Sequence, residues 1–161
     1  PAFNVFMADV KDWGIAALEK AAEGLECQTA VHICYGYGIE ANVKWKETLG
    51  SEWRQYEEIF PAINKSRIGQ VSLECAGSRV PISLISHLKD KTILVGAIDV
   101  ASNRIETPEM VAQTLKAALS HADAERIQGC TNCGMAPLSR DVASAKLRAL
   151  GAGAALLRKS N

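Results

Sequence analysis

The sequence predicts an α/β fold built around a parallel sheet. Four short runs rich in β-branched residues recur along the chain, helical patterns separate them, and no shift in composition marks a second domain. At 161 residues with 48% apolar content, the chain is long enough to bury one core.

The elements follow in order. Asp12 is placed to cap a helix over 13–24, with Ile15, Leu18, Ala22 and, just beyond its end, Leu25 at helical spacing. Residues 29–34 read as a strand halted by Gly36 and Gly38. The polar, aromatic stretch from there to Gly50 reads as a long loop, a length more typical of functional segments. A helix is expected over 51–64, with Trp53, Tyr56, Ile59 and Phe60 as its buried stripe. A strand over 70–74 and a short helix over 80–88 come next, and 92–99 is the clearest strand of all. Thr107 caps a further helix with Pro108 at its first position, where a missing N–H costs least. Residues 127–131 form the fourth strand and 139–150 a helix, with a small, apolar tail from Gly151 as a separate last helix. Four such strands fit an open doubly wound sheet or part of an eight-stranded barrel. No Gly-x-Gly-x-x-Gly follows any strand, which counts against dinucleotide binding.

Charge excludes several functions. With 18 basic and 18 acidic residues there is no net field for nucleic acid or a membrane surface, and no run approaches a membrane span. Five cysteines without small-scaffold spacing suit a reducing, cytoplasmic setting and chemistry over disulfides. The opening Pro1-Ala2-Phe3-Asn4 has no initiator Met and no helix or strand leading in, which predicts a start inside a longer protein.

The chemistry-bearing residues gather at strand ends. His32 and Cys34 are two apart on a strand, so both face one side. Alone, such a pair is more often a core histidine beside an inert cysteine. Glu74 ends the next strand after apolar Val71 and Leu73, where a carboxylate is costly unless paired or metal-bound. Cys133 follows the fourth strand, and Cys130 with Cys133 lacks the second pair that a structural four-cysteine site needs. Functional groups of parallel α/β folds cluster at the carboxyl ends of strands, and His, Cys, Glu and Cys are all zinc ligand types. Asp99 also ends a strand, but a single carboxylate there often serves only as a cap or loop acceptor. Cys75 should point away from Glu74, Cys27 reads as structural, and His87 and His121 as surface residues.

The strings Val31-His32-Ile33-Cys34-Tyr35-Gly36, Ser72-Leu73-Glu74 and Thr131-Asn132-Cys133-Gly134-Met135 resemble the cobalamin-independent methionine synthase family. The likeness spans essentially the whole chain and is nearest to short relatives with a single barrel. Pro1-Ala2-Phe3 resembles the family's Asp-Glu-Pro-Ala segment, and the strand from Val95 to Asp99 matches the family strand ending in Asp. The resemblance implies a (β/α)8 barrel, of which this chain is the carboxyl-terminal half, strands five to eight. Residues 1–161 would then be one partial catalytic barrel without its amino-terminal half, which is expected from the same or another chain because half a barrel leaves two open sheet edges.

The resemblance further implies zinc held by His32, Cys34, Glu74 and Cys133, and a homocysteine thiol methylated to methionine. The methyl donor would be methyltetrahydrofolate or another methyl compound. Two donor-side residues depart from the folate-dependent pattern: the presumed proton-donor His falls on Ala101, and a folate-contacting Glu falls on Val5. Residues that would hold the amino acid's charged groups lie before Pro1. The competing expectations are zinc-dependent alkylation of another thiol, a decarboxylase-like barrel without catalytic zinc, and a metal site that only stabilises the fold.

Overall fold

The structure is a computed structural model that describes residues 2–10, 12–37 and 40–159. Its helices are α1 (Ala2–Val5), α2 (Met7–Val10), α3 (Gly14–Ala21), α4 (Glu40–Glu47), α5 (Tyr56–Lys65), α6 (Pro108–Leu119) and α7 (Arg140–Lys159). The strands are β1 (Ala30–Ile33), β2 (Gln70–Glu74), β3 (Thr92–Ile98) and β4 (Ile127–Thr131). They form one sheet in the order β1-β2-β3-β4, every neighbouring pair parallel. This is the architecture of half a (β/α)8 barrel, as the family resemblance implies, rather than the open doubly wound sheet that the strand pattern alone also allows. None of the described helices is long and apolar enough to cross a membrane.

The two faces of the sheet differ in the way half a barrel requires. Val71, Leu73, Ile93 and Val95 are completely buried in a core with Tyr56, Phe60, Val111 and Leu115 from α5 and α6. Each such large side chain contributes about 1.5–3 kcal/mol by leaving water. On the other face, Ser72 and Leu94 are half-buried, and His32 and Gln128 are exposed. That face would line the interior of a closed barrel.

Several boundaries differ from the sequence reading. Residues 40–47 are helical rather than loop, stabilised by the Glu40–Lys44 ion pair at 2.7 Å. Their helix formers carry no apolar stripe at helical spacing, so periodicity could not reveal them. The expected buried stripe of Trp53, Tyr56, Ile59 and Phe60 is buried as predicted, but the helix starts at Tyr56 rather than 51. The segment over 80–88 is a 3-10 helix at Ile82–His87. Asp12 does not take the N-cap position of α3: Trp13 does, without a side-chain cap. The opening residues, in which the sequence reading places no helix or strand, form α1 and α2.

The tail is not separate either. Helix α7 runs unbroken through Gly151 and Gly153 to Lys159. At Gly153 an added Cβ would lie 2.5 Å from Val111 Cβ and 2.6 Å from the Pro108 carbonyl. Glycine there serves the close approach of α7 to α6 instead of ending the helix.

An ion pair buried beneath the rim ties α7 to the loop after β3. Lys146 is 0% exposed and Glu106 8%, and Lys146 Nζ lies 2.9 Å from Glu106 Oε2. The same ammonium donates to the carbonyls of Asp99, at 2.9 Å, and Arg104. Glu106 Oε1 accepts the Asp99 N–H at 3.0 Å. Lys146→Met should therefore cost about 3–5 kcal/mol, because it strands a buried carboxylate. Denaturant unfolding of the intact protein, wild type against variant, measures that loss.

Candidate metal centre

Parallel pairing delivers all four strand ends to one rim. His32 lies opposite Ser72, Glu74 opposite Gly96, and Ile98 opposite Thr131 after a register shift between Gly96 and Ile98. From that rim His32, Cys34 and Cys133 converge, with one ligand atom of each lying within 4.8 Å of the others. Among the described residues they are the one group of three or more His, Cys, Asp or Glu side chains so arranged.

The geometry fits a tetrahedral ion with sulfur and nitrogen ligands. Cys34 Sγ and Cys133 Sγ are 4.0 Å apart. Two thiolates on one zinc, each at about 2.3 Å and tetrahedrally disposed, would stand about 3.8 Å apart. A disulfide would bring them to about 2.05 Å. His32 Nδ1 lies 3.0 Å from Ser72 Oγ, so an N–H···O bond there leaves Nε2 with its lone pair free. His32 keeps an open surface, but desolvation by the atoms packed around the ring lowers its pKa, which favours the neutral imidazole a metal requires. Burial pushes the Cys34 thiol up to about 11, reinforced by Cys133 and Glu74. A cation is what would stabilise a thiolate there.

Glu74 is at the rim but not within the donor group. It is 1% exposed, and its Oε1 accepts the Tyr35 N–H at 3.0 Å while its Oε2 accepts the Tyr37 hydroxyl. Burial raises its pKa, with these two hydrogen bonds opposing. Tyr35 is held by stacking on Trp45 at 5.7 Å between centroids and by its hydroxyl, which donates to Gln55 Oε1 at 2.7 Å. Lys46 donates to the Gly36 carbonyl at 2.8 Å, and Gly36 turns the chain at φ +83°.

Asn132 is the hidden organiser. Completely buried, it accepts the Cys75 N–H at Oδ1, 3.2 Å away, and donates from Nδ2 to the Ala76 carbonyl and, at 3.4 Å, to Tyr37 Oη. These bonds anchor the residue next to Cys133. Asp99 stands apart from the donor group and accepts the Ala101 N–H at 2.9 Å, as a loop acceptor would. Ala101 lines a cavity of about 400 Å3 with Tyr37, Val43, Lys46, Val100 and Leu138. The side chain of Val5 lies outside the described residues. Ser72 and Asn132 stand in the strings that carry the family resemblance but, like Tyr37, have no ligand chemistry that singles them out. Only Ser72 was findable, through its register opposite His32.

Fold and rim together define a barrel segment with a thiol–imidazole group able to hold a metal. Residues 10–155 match the cobalamin-independent synthase catalytic domain, and the chain belongs to that family. It is 29% identical over 160 residues to a methionine synthase of Sulfurisphaera tokodaii, covering 99% of this chain and 41% of the relative. It is 28% identical over 161 residues to a methionine synthase of Saccharolobus islandicus, covering 99% and 43%. A solved B12-independent methionine synthase from Shewanella sp. W3-18-1, in complex with selenomethionine, superposes with a TM-score of 0.93 at 61% identity, over 99% of this chain and 47% of that one. The chain thus spans less than half the length of these relatives.

Ser72→Ala, which removes the partner of His32 Nδ1, should weaken metal affinity about 10- to 100-fold without abolishing it. Competition of the intact protein against a chromophoric zinc chelator measures the change.

Proposed function

We propose that residues 1–161 are the carboxyl-terminal, metal-carrying half of one catalytic barrel that methylates the thiol of homocysteine to methionine, completed by an amino-terminal half on the same or another chain. The observation that carries this reading is the placement of two sulfurs 4.0 Å apart beside an imidazole, at the strand-end rim where parallel α/β folds hold their sites. Family membership supports it. So does the selenomethionine in the Shewanella relative, an analogue of the product such an enzyme releases.

His32, Cys34 and Cys133 would hold zinc, with Glu74 as a fourth, exchangeable ligand. Zinc bound there would keep the substrate sulfur as a nucleophilic thiolate at neutral pH. The chain's own residues do the rest. Ser72 orients the imidazole, and Asn132 fixes the segment that carries Cys133. In the transfer a sulfur–carbon bond forms as the methyl–donor bond breaks, and the donor keeps the bonding electron pair.

The donor is a methyl compound other than a folate. A folate amine must be protonated as it leaves, and general acid catalysis contributes typically about 10²- to 10⁴-fold. Ala101 has no proton to give, and its cavity neighbours Val43, Val100 and Leu138 have none either. On the same cavity the Tyr37 hydroxyl is given to Glu74, Asn103 is a neutral amide, and Lys46 directs one ammonium hydrogen to the Gly36 carbonyl, so no imidazole stands where the folate-dependent pattern has one. Val5 cannot hydrogen-bond a pterin.

Two outcomes are expected of the intact protein. Cys34→Ser and Cys133→Ser should each remove most of the zinc and nearly all methyl transfer, by elemental analysis and assay, while Cys75→Ser, outside the donor group, stays near wild type in metal content. Retention of zinc by both rim variants would refute the ligand assignment. With homocysteine and methyltetrahydrofolate, mono- or polyglutamated, little turnover is expected. Turnover at rates ordinary for a biosynthetic enzyme would overturn the donor proposal.

A further inference from the structure

Glu74 presents a problem that the ligand set leaves open. A completely buried carboxylate that gives up a metal must find other donors or suffer desolvation worth more than a hydrogen bond. Here those donors are already in place. Oε1 receives the Tyr35 N–H at 3.0 Å, and Oε2 receives the Tyr37 hydroxyl.

The direction of the second bond is fixed by its surroundings. Asn132 Oδ1 takes the Cys75 N–H and Nδ2 gives to the Ala76 carbonyl, so the amide cannot be turned around without breaking both. Its Nδ2 then points at Tyr37 Oη from 3.4 Å and occupies a lone pair of that oxygen. The hydroxyl hydrogen is left for Glu74. The ring is braced in turn by Lys46, whose Nζ lies 4.9 Å from its centroid while bonding the Gly36 carbonyl.

The geometry points to Tyr37 as a positioning residue that docks the Glu74 carboxylate off the donor group, so that one coordination position opens to the substrate thiol. This role rests on the thiol-activation reading above. With zinc held by His32, Cys34 and Cys133, the substrate thiolate would take the position that Glu74 leaves, and the docked carboxylate would have the Tyr35 N–H and the Tyr37 hydroxyl as donors. Tyr37 is not one of the convergent donor residues. It acts through Glu74, and its effect must vanish when Glu74 is absent.

The test uses the intact protein with cobalt(II) in place of zinc, so that binding is read from visible ligand-field bands and sulfur-to-cobalt charge transfer rather than turnover. Homocysteine is titrated into the unsubstituted protein, Tyr37→Phe, Glu74→Ala and the double variant. Tyr37→Phe should keep one cobalt per chain but bind homocysteine about 10-fold more weakly or worse, as expected for losing a hydrogen bond to a charged group. In the Glu74→Ala background the same substitution should change affinity less than about 2-fold, the signature of complete coupling. Wild-type homocysteine affinity in Tyr37→Phe would overturn the docking role. So would loss of its cobalt, or an undiminished effect without Glu74. If the unsubstituted protein binds cobalt yet homocysteine leaves its spectrum unchanged, the thiol-activation reading itself fails and the docking role falls with it. That result differs from one confined to the Tyr37 variants.

Discussion

The constraint on which the site depends is the in-register parallel pairing of β2 with β3 at Glu74 and Gly96. A Cβ on residue 96 would lie 2.4 Å from Asn132 Oδ1 and 2.6 Å from the Leu73 carbonyl, so only glycine lets Asn132 settle over the strand. Asn132 in that place bonds the chain leaving β2, and Cys133 is carried along to within 4.0 Å of Cys34. Residues 99 positions apart in sequence thus share one centre because a position with no side chain permits the crossing. The shift in register between Gly96 and Ile98 falls at the same point, where β3 gives up regular pairing to admit it.

Two buried charged assemblies stand near this rim and solve the cost of burial differently. Lys146 and Glu106 neutralise each other, and the remaining ammonium hydrogens go to backbone carbonyls, which leaves the assembly closed and structural. Glu74 has no ion pair among the described residues, although Lys46 favours its charged form from a distance. It is balanced by neutral donors, Tyr35 N–H and the Tyr37 hydroxyl, and lies beside a thiol that burial pushes up to about 11. A buried carboxylate beside an imidazole and two sulfurs is a donor set suited to taking up a cation, which would favour the charged forms of these groups.

The aromatic cluster behind the rim explains why the segment after β1 needed structure. Tyr35 packs on Trp45, Trp53 and Tyr56, with ring centroids 5.7, 4.8 and 5.3 Å away. Tyr56 also donates to the Ile33 carbonyl at 3.0 Å. These contacts hold the backbone N–H of Tyr35 toward Glu74 and bring α4, with Lys46, against Tyr37. A helix that reads as polar loop is therefore part of the support of the site.

Much was legible in the residues alone. The four strands and the helices α5 and α6 were visible because apolar side chains must alternate or recur every turn to reach one core, and the Thr107 cap with Pro108 is a purely local device. The clustering of His32, Cys34 and Cys133 was likewise readable, since parallel strands must end on the same side and those residues sit at strand ends. The helix at 40–47 was hidden by its lack of an apolar stripe, and the unbroken α7 by glycines whose purpose is contact with α6. Only the tertiary structure decided that Glu74 rests on Tyr37 and Tyr35, that Asn132 holds Cys133, and that Lys146 is buried against Glu106. Each of these depends on hydrogen bonds between residues far apart in the chain. A sequence states the polarity of a side chain, but the partner that makes its burial tolerable exists only once the chain has folded around it.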